Sequence, residues 1–417
     1  MAKEMLYKEF GKTGIKVSAL GFGAMRLPMI SVADAAGGVS GSGGAGKTSG
    51  TGGAGGAGRA GSTKRVDYDV VVPMILRAFE LGVNFIDTAP FYCNSDSETA
   101  VGMALKSWKG KEPIYLSTKN PSAEGSAEQW RSLLEGSLKK LDRDYIDFYH
   151  MWGISLERFR TLIDVEGGHI HSALKAKEEG LIKHISFSFH DSAENMIPII
   201  DSGYYESVLC QYNLLDRSNE ASIAYAKKKG LGVVVMGPVG GGRLGAPSEV
   251  IRGMLKKDIR STAEMALRFV LANPNVDVAL SGMRSMDMVE ENAKIAGIEG
   301  ALTRAELDQI DKMLEENKRL AELYCTGCRY CMPCPQNVNI PMIFSLMNYH
   351  RIYGLTEHAK SEYAGLGIPI DDRDNEWAKE RGLSAAACVE CGECESKCPQ
   401  HIKIMQQLKE THAELTK

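Results

Sequence analysis

"SAEQWRSLLEGSLKKLDRDYIDFYHM", Ser126 to Met151, contains one full unit of the pattern that decides this fold. In its first part Trp130, Leu134, Leu138 and Leu141 recur every three or four residues, the spacing of a helix with one apolar face. From Tyr145 the residues change to "YIDFYHM", an aromatic and β-branched run of strand length. Working outward, the same alternation fills the first 300 residues. The candidate strands are "VSALG" from Val17, "VNFID" from Val83, "IYLST" from Ile114, "YIDFYHM" from Tyr145, "KHISFS" from Lys183, "SVLC" from Ser207, "VVVM" from Val233 and "VDVAL" from Val276. Stretches such as "YDVVVPMILRAFELG" and "GHIHSALKAKEEG" lie between them, with helical spacing and a closing Gly.

Eight strand-helix units predict an α/β fold, a closed (β/α)8 TIM barrel over residues 1–300. Before the first barrel strand, "YKEFGKTGIKV" reads as two short strands about a turn, placed to plug the barrel floor. Barrel chemistry sits at the C-terminal ends of the strands and in the loops after them. That rule selects Asp87, Lys119, His150, Trp152, Ser188 and Gln211.

A Gly-rich insertion, residues 31–65, follows the first strand. It contains "GSGGAGKT", Gly41 to Thr48, which satisfies the phosphate-loop pattern G-x-x-x-x-G-K-[ST]. A working phosphate loop needs a buried strand before it and a helix after it. Between Gly37 and Gly61 there are 13 glycines in 25 residues, and Val39 is the one sizeable apolar side chain. The composition is that of a flexible linker, so a nucleotide triphosphatase is not expected. The insertion emerges on the catalytic face, where it is either a flap over the pocket or an idle expansion.

Over the 417 residues, 44% are hydrophobic, 24% are charged and the net charge is −4. This balance gives no reason to expect nucleic acid or a membrane as partner. No run reaches bilayer length, and "MAKEMLYKEFGKTG" lacks the apolar core of a signal peptide, so a cytoplasmic location is expected.

Eight of the ten cysteines form two clusters. "CTGCRYCMPCP" places Cys325, Cys328, Cys331 and Cys334 as C-x2-C-x2-C-x2-C-P; "CVECGECESKCP" places Cys388, Cys391, Cys394 and Cys398 as C-x2-C-x2-C-x3-C-P. The second is the ferredoxin-type run for a 4Fe-4S cluster, in which the Cys before Pro commonly reaches across to the other cluster. The first is one residue short in its last gap. Zinc on four thiolates is the alternative, and two quartets each ending in Cys-Pro favour two 4Fe-4S clusters. Such clusters imply a reducing, oxygen-poor setting. A helix over 301–322, with Thr303 as N-cap, connects the barrel to the cysteine domain, residues 323–417. Between the quartets "IPMIFSLMNYHRIYG" has helical spacing, so this domain is expected to be mainly helical.

The stretches "NFIDTAPFY", "YLSTKN", "QYNLLDR" and "SGMRSMDMVEEN", with the two cysteine runs, resemble the aldo-keto reductase family, in its branch with a C-terminal 4Fe-4S ferredoxin-like domain. The resemblance covers the chain apart from the insertion. It implies reduction of a small carbonyl compound, with Tyr92 as proton donor, Lys119 as the neighbouring cation and Asp87 as the partner of that cation. A phenol with a pKa near 10 is a weak acid at neutral pH, and an adjacent ammonium stabilises its phenolate.

The family's substrate-orienting His lies five residues after the Asp of the fourth strand, here Asp147, and that position holds Trp152. By strand alternation His150 faces the same side, roughly 6 to 7 Å deeper. Either His150 partly replaces the missing imidazole or Trp152 reshapes the pocket, which leaves room for an activated double bond as substrate.

For the cofactor, the resemblance assigns the nicotinamide carboxamide to Ser188 and Gln211, although Phe189 stands where many relatives have Asn. It assigns the adenosine 2'-phosphate to Arg284 and the adenine to Glu291 and Asn292. NADPH is therefore preferred over NADH. "MGPVGGGRLG", Met236 to Gly245, suits close approach of a pyrophosphate. A ferredoxin or another electron carrier is the implied partner. The second expectation is an electron-transfer or redox-sensing protein whose barrel has lost catalysis.

Overall fold

The computed structural model describes residues 5–31, 64–121, 126–255, 259–322, 325, 329–367, 381–398 and 401–417. Eight strands close into a barrel: β1 (Leu20–Gly23), β2 (Phe85–Asp87), β3 (Tyr115–Asn120), β4 (Ile146–Ile154), β5 (Ile182–Phe189), β6 (Ser207–Gln211), β7 (Gly232–Met236) and β8 (Val278–Ser281). Neighbours in sequence are neighbours in space, every pair is parallel, and β8 closes the ring on β1. Helices α1 (Tyr68–Glu80), α2 (Ser97–Ser107), α3 (Ala127–Leu141), α4 (His169–Glu178), α5 (Met196–Asp201), α6 (Glu220–Lys229), α7 (Thr262–Ala272) and α8 (Met286–Ala296) alternate with the strands.

Pleat alternation divides the apolar residues between two cores. Phe85, Phe148, Leu209, Val234, Val278 and Leu280 fill the lumen, while a larger cluster, including Trp130, Ile185, Phe187 and Val233, packs between strands and helices. Because both strand faces are covered, runs such as Val233–Val235 are buried throughout.

The run from Val17 does not form one strand. Lys16–Ser18 pairs antiparallel with Tyr7–Glu9, and the barrel strand begins only at Leu20. The divide is set at Ser18, whose N–H donates to Asn84 Oδ1 at 2.7 Å and whose hydroxyl donates to the Leu20 carbonyl at 2.7 Å, so the chain leaves the hairpin there. The hairpin closes the floor: Phe10 meets Phe148 edge-on at 4.9 Å, and a Cβ on Gly232 would stand 2.6 Å from the Phe10 ring.

Above the floor, Met29–Ser31 and Lys64–Val66 pair antiparallel, Met29 opposite Val66, so both ends of the Gly-rich insertion are held side by side. The phosphate-loop pattern, Gly41 to Thr48, lies outside the described residues.

Helix α9 (Arg304–Glu322) opens with a capping box, in which Thr303 and Glu306 each accept from the other's backbone N–H, and it buries Ile310 against the barrel. The cysteine domain is helical: α10 (Ile340–Arg351), α11 (Thr356–Ala364) and α12 (Ile404–Leu415) enclose a small core of Ile343, Phe344, Leu346, Tyr363, Leu408 and neighbours. This core sits on the loop after β7. There Arg243 donates to the Tyr349 hydroxyl and lies 5.2 Å over its ring, while the Ser248 hydroxyl donates to the Tyr353 carbonyl. Among the described residues no helix is long and apolar enough to cross a membrane.

Candidate functional site

Register brings the expected residues together. Asp87 ends β2 opposite Ser117 of β3, and Lys119, two residues on, is opposite His150 of β4. Residues two apart on a strand face the same way, so Ser117, Lys119 and His150 share the lumen side with Asp87. Lys119 Nζ donates to Asp87 Oδ2 at 2.6 Å and to the Thr88 carbonyl at 2.8 Å. The second carboxylate oxygen accepts from Ser117 Oγ at 2.8 Å, and that hydroxyl lies 2.7 Å from His150 Nε2.

Since the Ser117 hydroxyl gives its one proton to Asp87, His150 must donate from Nε2, which leaves Nδ1 unprotonated. Burial and the Lys119 charge push the imidazole well below its ordinary pKa, partly offset by the Phe187 backbone, so the ring is neutral. It is 1% exposed and stands opposite Lys119 in the strand register, where it braces Asp87 through Ser117.

Burial works against the Lys119 charge, but Asp87 and Tyr92 outweigh it and hold the ammonium above its usual pKa. Its Nζ lies 4.8 Å from the centre of the Tyr92 ring. The Tyr92 hydroxyl is pushed above its ordinary pKa by burial, with Lys119 pulling the other way and losing. The expected lowering of the phenol is therefore reversed in the protein as it stands, because desolvation is the larger effect.

Tyr92 is presented by an unusual turn. Cys93, Asn94 and Ser95 all have φ between 54° and 65°, the left-handed region that L-residues avoid. The turn is tied down by Asn94 Nδ2, which donates to the Lys64 carbonyl at 3.1 Å, and by the Asp96 N–H, which donates to the Tyr92 carbonyl at 3.2 Å. Trp152 packs against Phe91 and edge-on against Tyr92, each at 5.9 Å, and so walls one side of the phenol.

The other expected residues ring the same end of the barrel. Ser188, buried at the end of β5, accepts from the Gly153 N–H at 2.8 Å. The Gln211 amide at the end of β6 lies over Gly237, where a Cβ would stand 2.7 Å from it at φ 64°. Asn292 on α8 donates to Ser281 Oγ of β8 at 3.0 Å, Glu291 is exposed beside it, and Arg284 is exposed in the turn between β8 and α8.

Sequence reasoning missed Arg26, whose guanidinium nitrogens stand 3.6 Å from where a Cβ on Gly241 or Gly242 would be. Both glycines have positive φ, so bare backbone faces a guanidinium, an arrangement that could hold a phosphate group. Ser117 was also missed; it lies on the lumen side of β3, two residues before Lys119, where alternation alone would have found it.

In the cysteine domain Cys331, Cys334, Cys388, Cys391 and Cys394 line one cavity. Cys331 and Cys334 from the first run thus stand with three thiols of the second. Glu390 and Gly392 both have positive φ, which curls the "CVECGEC" backbone around that cavity. Cys325 and Cys398 pack against the same small core, and Cys328 lies outside the described residues.

The Aldo/keto reductase family model matches residues 50–315, and the 4Fe-4S dicluster domain model matches residues 324–403. L-Galactose dehydrogenase of Arabidopsis thaliana is 28% identical over 339 residues, which is 75% of this chain and 95% of that protein. Among solved structures, aldo-keto reductase AKR11C1 of Bacillus halodurans, in its holo form, has a TM-score of 0.55 at 25% identity over 74% of this chain and 96% of its own. An aldo-keto reductase of Klebsiella pneumoniae in complex with NADPH shares the fold with a TM-score of 0.54 at 21% identity, over 75% of this chain and 96% of its own. A parallel eight-stranded barrel with a buried Lys–Asp pair beneath a Tyr, followed by a helical dicluster domain, places this chain in the aldo-keto reductase family, as an oxidoreductase that carries 4Fe-4S clusters.

Proposed function

We propose that the barrel catalyses NADPH-linked reduction of a small carbonyl compound and that the two 4Fe-4S clusters exchange electrons with it. The observation that carries this reading is the Lys119–Asp87 pair, with side chains 2% and 7% exposed, held directly below the Tyr92 ring. Placing an ammonium in such a site stabilises a phenolate once the phenol has given up its proton.

Tyr92 is fully protonated at neutral pH, because burial raises its pKa, and so stands ready as the donor to a carbonyl oxygen. Lys119 then faces the phenolate, Asp87 holds Lys119 charged, and the Ser117–His150 pair fixes the carboxylate. A nicotinamide bound there would supply the hydride for the carbonyl carbon, and Tyr92 would give its proton to the carbonyl oxygen. Gln211 and Ser188 would hold the carboxamide, the Gly240–Gly242 cradle with Arg26 the diphosphate, and Arg284, Glu291 and Asn292 the adenosine end. By the ferredoxin pattern, one cluster would be held by Cys334, Cys388, Cys391 and Cys394 and the other by Cys325, Cys328, Cys331 and Cys398. Both would serve single-electron exchange, with a ferredoxin or similar carrier as outside partner. Contact between the cluster domain and the loop after β7 supports a shared electron path.

Tyr92→Phe in the iron-reconstituted protein tests this reading, with NADPH and 4-nitrobenzaldehyde under anaerobic conditions. Turnover should fall by about 10²- to 10⁴-fold while cluster absorbance stays unchanged. Undiminished turnover would sink the reading. Because Trp152 occupies the usual His position, the outcome would then pass to a protein that carries or senses electrons and whose barrel is not catalytic.

A further inference from the structure

Near the start of α2, Glu98 is a carboxyl with no solvent exposure that the Lys119–Asp87 site does not use. Its Oε1 accepts from Thr118 Oγ1 at 2.8 Å, while its Oε2 makes no hydrogen bond among the described residues. A carboxylate buried in this way needs a compensating cation. Lys140, in the last turn of α3, supplies one, with Nζ 3.8 Å from Glu98 Oε2. Burial pushes the Glu98 carboxyl above its ordinary range, and the Thr118 hydrogen bond and the ammoniums of Lys140 and Lys119 pull the other way.

The same ammonium spans the turn that carries Tyr92. Lys140 Nζ donates to the Pro90 carbonyl at 3.3 Å and to the Ser95 carbonyl at 3.3 Å, one on each side of Tyr92 in the chain. An ammonium has three N–H groups, which suffice for Pro90, Ser95 and Glu98. The turn needs such a brace, because Cys93, Asn94 and Ser95 are all left-handed and strained backbone persists only where its surroundings hold it. Its other side is held by Asn94 and by Asp96, whose Oδ2 accepts from the Val66 N–H at 2.8 Å. Through Glu98, the brace is also tied to Thr118, the residue before Lys119 on β3. The turn that presents the phenol and the strand that presents its cation are thus joined by one chain of contacts: Thr118, Glu98, Lys140, and the Pro90 and Ser95 carbonyls.

We propose that Lys140 is a positioning residue for Tyr92: seated on Glu98, its ammonium holds the Pro90 and Ser95 carbonyls and so keeps the phenol at its place beside Lys119. It meets no reacting atom and acts only through the turn. This inference rests on the carbonyl-reduction reading.

The test uses Lys140→Met in the full, iron-loaded protein with NADPH and 4-nitrobenzaldehyde. The Lys140 side chain is 37% exposed, and Met is a good helix former of similar bulk, so the fold is not at risk. Misplacing the phenol should lower kcat by about 10- to 100-fold and leave the KM for NADPH unchanged. Because Lys140 acts through Tyr92, adding Lys140→Met to Tyr92→Phe should cause no further loss of the residual turnover. A second readout is independent of turnover. The Tyr92 and Asp96 amides, bonded within the turn to the Ala89 and Tyr92 carbonyls, should exchange about 10-fold faster in Lys140→Met, while those of β3 and β4 keep their protection.

If Tyr92→Phe abolishes turnover while Lys140→Met keeps wild-type kcat, this inference alone is overturned. It is overturned equally if Lys140→Met lowers the residual turnover of Tyr92→Phe by the same factor as in the wild-type protein. If the wild-type protein reduces no carbonyl, or Tyr92→Phe turns over normally, the reading beneath it fails and the inference falls with it. Unchanged exchange at Tyr92 and Asp96 overturns the inference whatever the kinetics show.

Discussion

In the barrel, Lys119 meets Asp87 at 2.6 Å in a site with almost no solvent contact, and both side chains are fixed by strands whose register leaves them no alternative. In the cysteine domain the thiols of Cys331, Cys334, Cys388 and Cys394 are half-exposed, Cys391 is exposed, and the loops that carry them turn through left-handed residues around a small core. One site is assembled by backbone pairing before any ligand arrives. The other is a set of loops whose shape depends on what the thiols bind. A small domain with such a thin core draws much of its stability from its metal, whereas the barrel does not.

Iron removal should therefore divide the molecule. After chelation, or in Cys391→Ser, amides in α10 and α12 should exchange about 100-fold faster or more, while those in β3 and β4 keep their protection. Hydrogen exchange read by mass spectrometry measures both regions at once. Equal loosening of the barrel strands would break the comparison.

The next effect is expected inside the barrel. Lys119→Met keeps an unbranched side chain of similar bulk but leaves Asp87 buried without its cation, and removal of one partner from a buried pair typically destabilises by about 3–5 kcal/mol. Urea unfolding should show a loss in that range, and Lys119→Met with Asp87→Asn should lose less than the sum of the two single changes. Simple additivity would mean that the pair is not energetically coupled, despite its geometry.

How much of this could be seen in advance follows from what each feature needs. The eight strand-helix units were legible because the periods of 2 and 3.6 are local, and Asp87 and Lys119 followed from the strand-end rule. The Val17 run was misplaced because the choice of partner for Ser18 is made by Asn84, far along the chain. Ser117 looked generic until β2 and β3 were paired. The Arg26 cradle needs β1's loop to meet the glycines after β7, a contact no local pattern announces. Cysteine spacing signalled the clusters and, through the Cys before Pro, a ligand reaching across between the runs; the fold brings Cys331 and Cys334 beside three thiols of the second run.

A smaller effect concerns pH. His150 is neutral in the folded protein because its pKa lies well below 6.5, while in the unfolded chain it titrates near the usual value. Below pH 6.5 the unfolded state thus binds a proton that the folded state refuses, and stability falls as pH falls, by about 1.4 kcal/mol per pH unit for one such group. His190, lowered more modestly, adds to the same trend. Urea midpoints measured between pH 7 and 5.5 should decline in the wild-type protein, and His150→Gln should flatten the slope by close to one proton. A slope unchanged in that variant would show that His150 is charged in the folded state.

The smallest effect is expected where the two regions meet. Arg243 lies in the glycine loop after β7, close enough to Gly240 that a Cβ there would stand 2.8 Å from its Nε, and its guanidinium reaches across to the hydroxyl and ring face of Tyr349 on α10. Arg243→Ala removes one hydrogen bond from a charged donor and one cation–π contact at a partly exposed site, together worth on the order of 1 kcal/mol. The fold should survive, and both domains should keep their own stability. What should change is their coupling. Stopped-flow mixing with NADPH should show slower loss of cluster absorbance in Arg243→Ala, because the contact it removes joins the loop after β7 to α10. Unchanged bleaching would mean that the electron path does not depend on this contact.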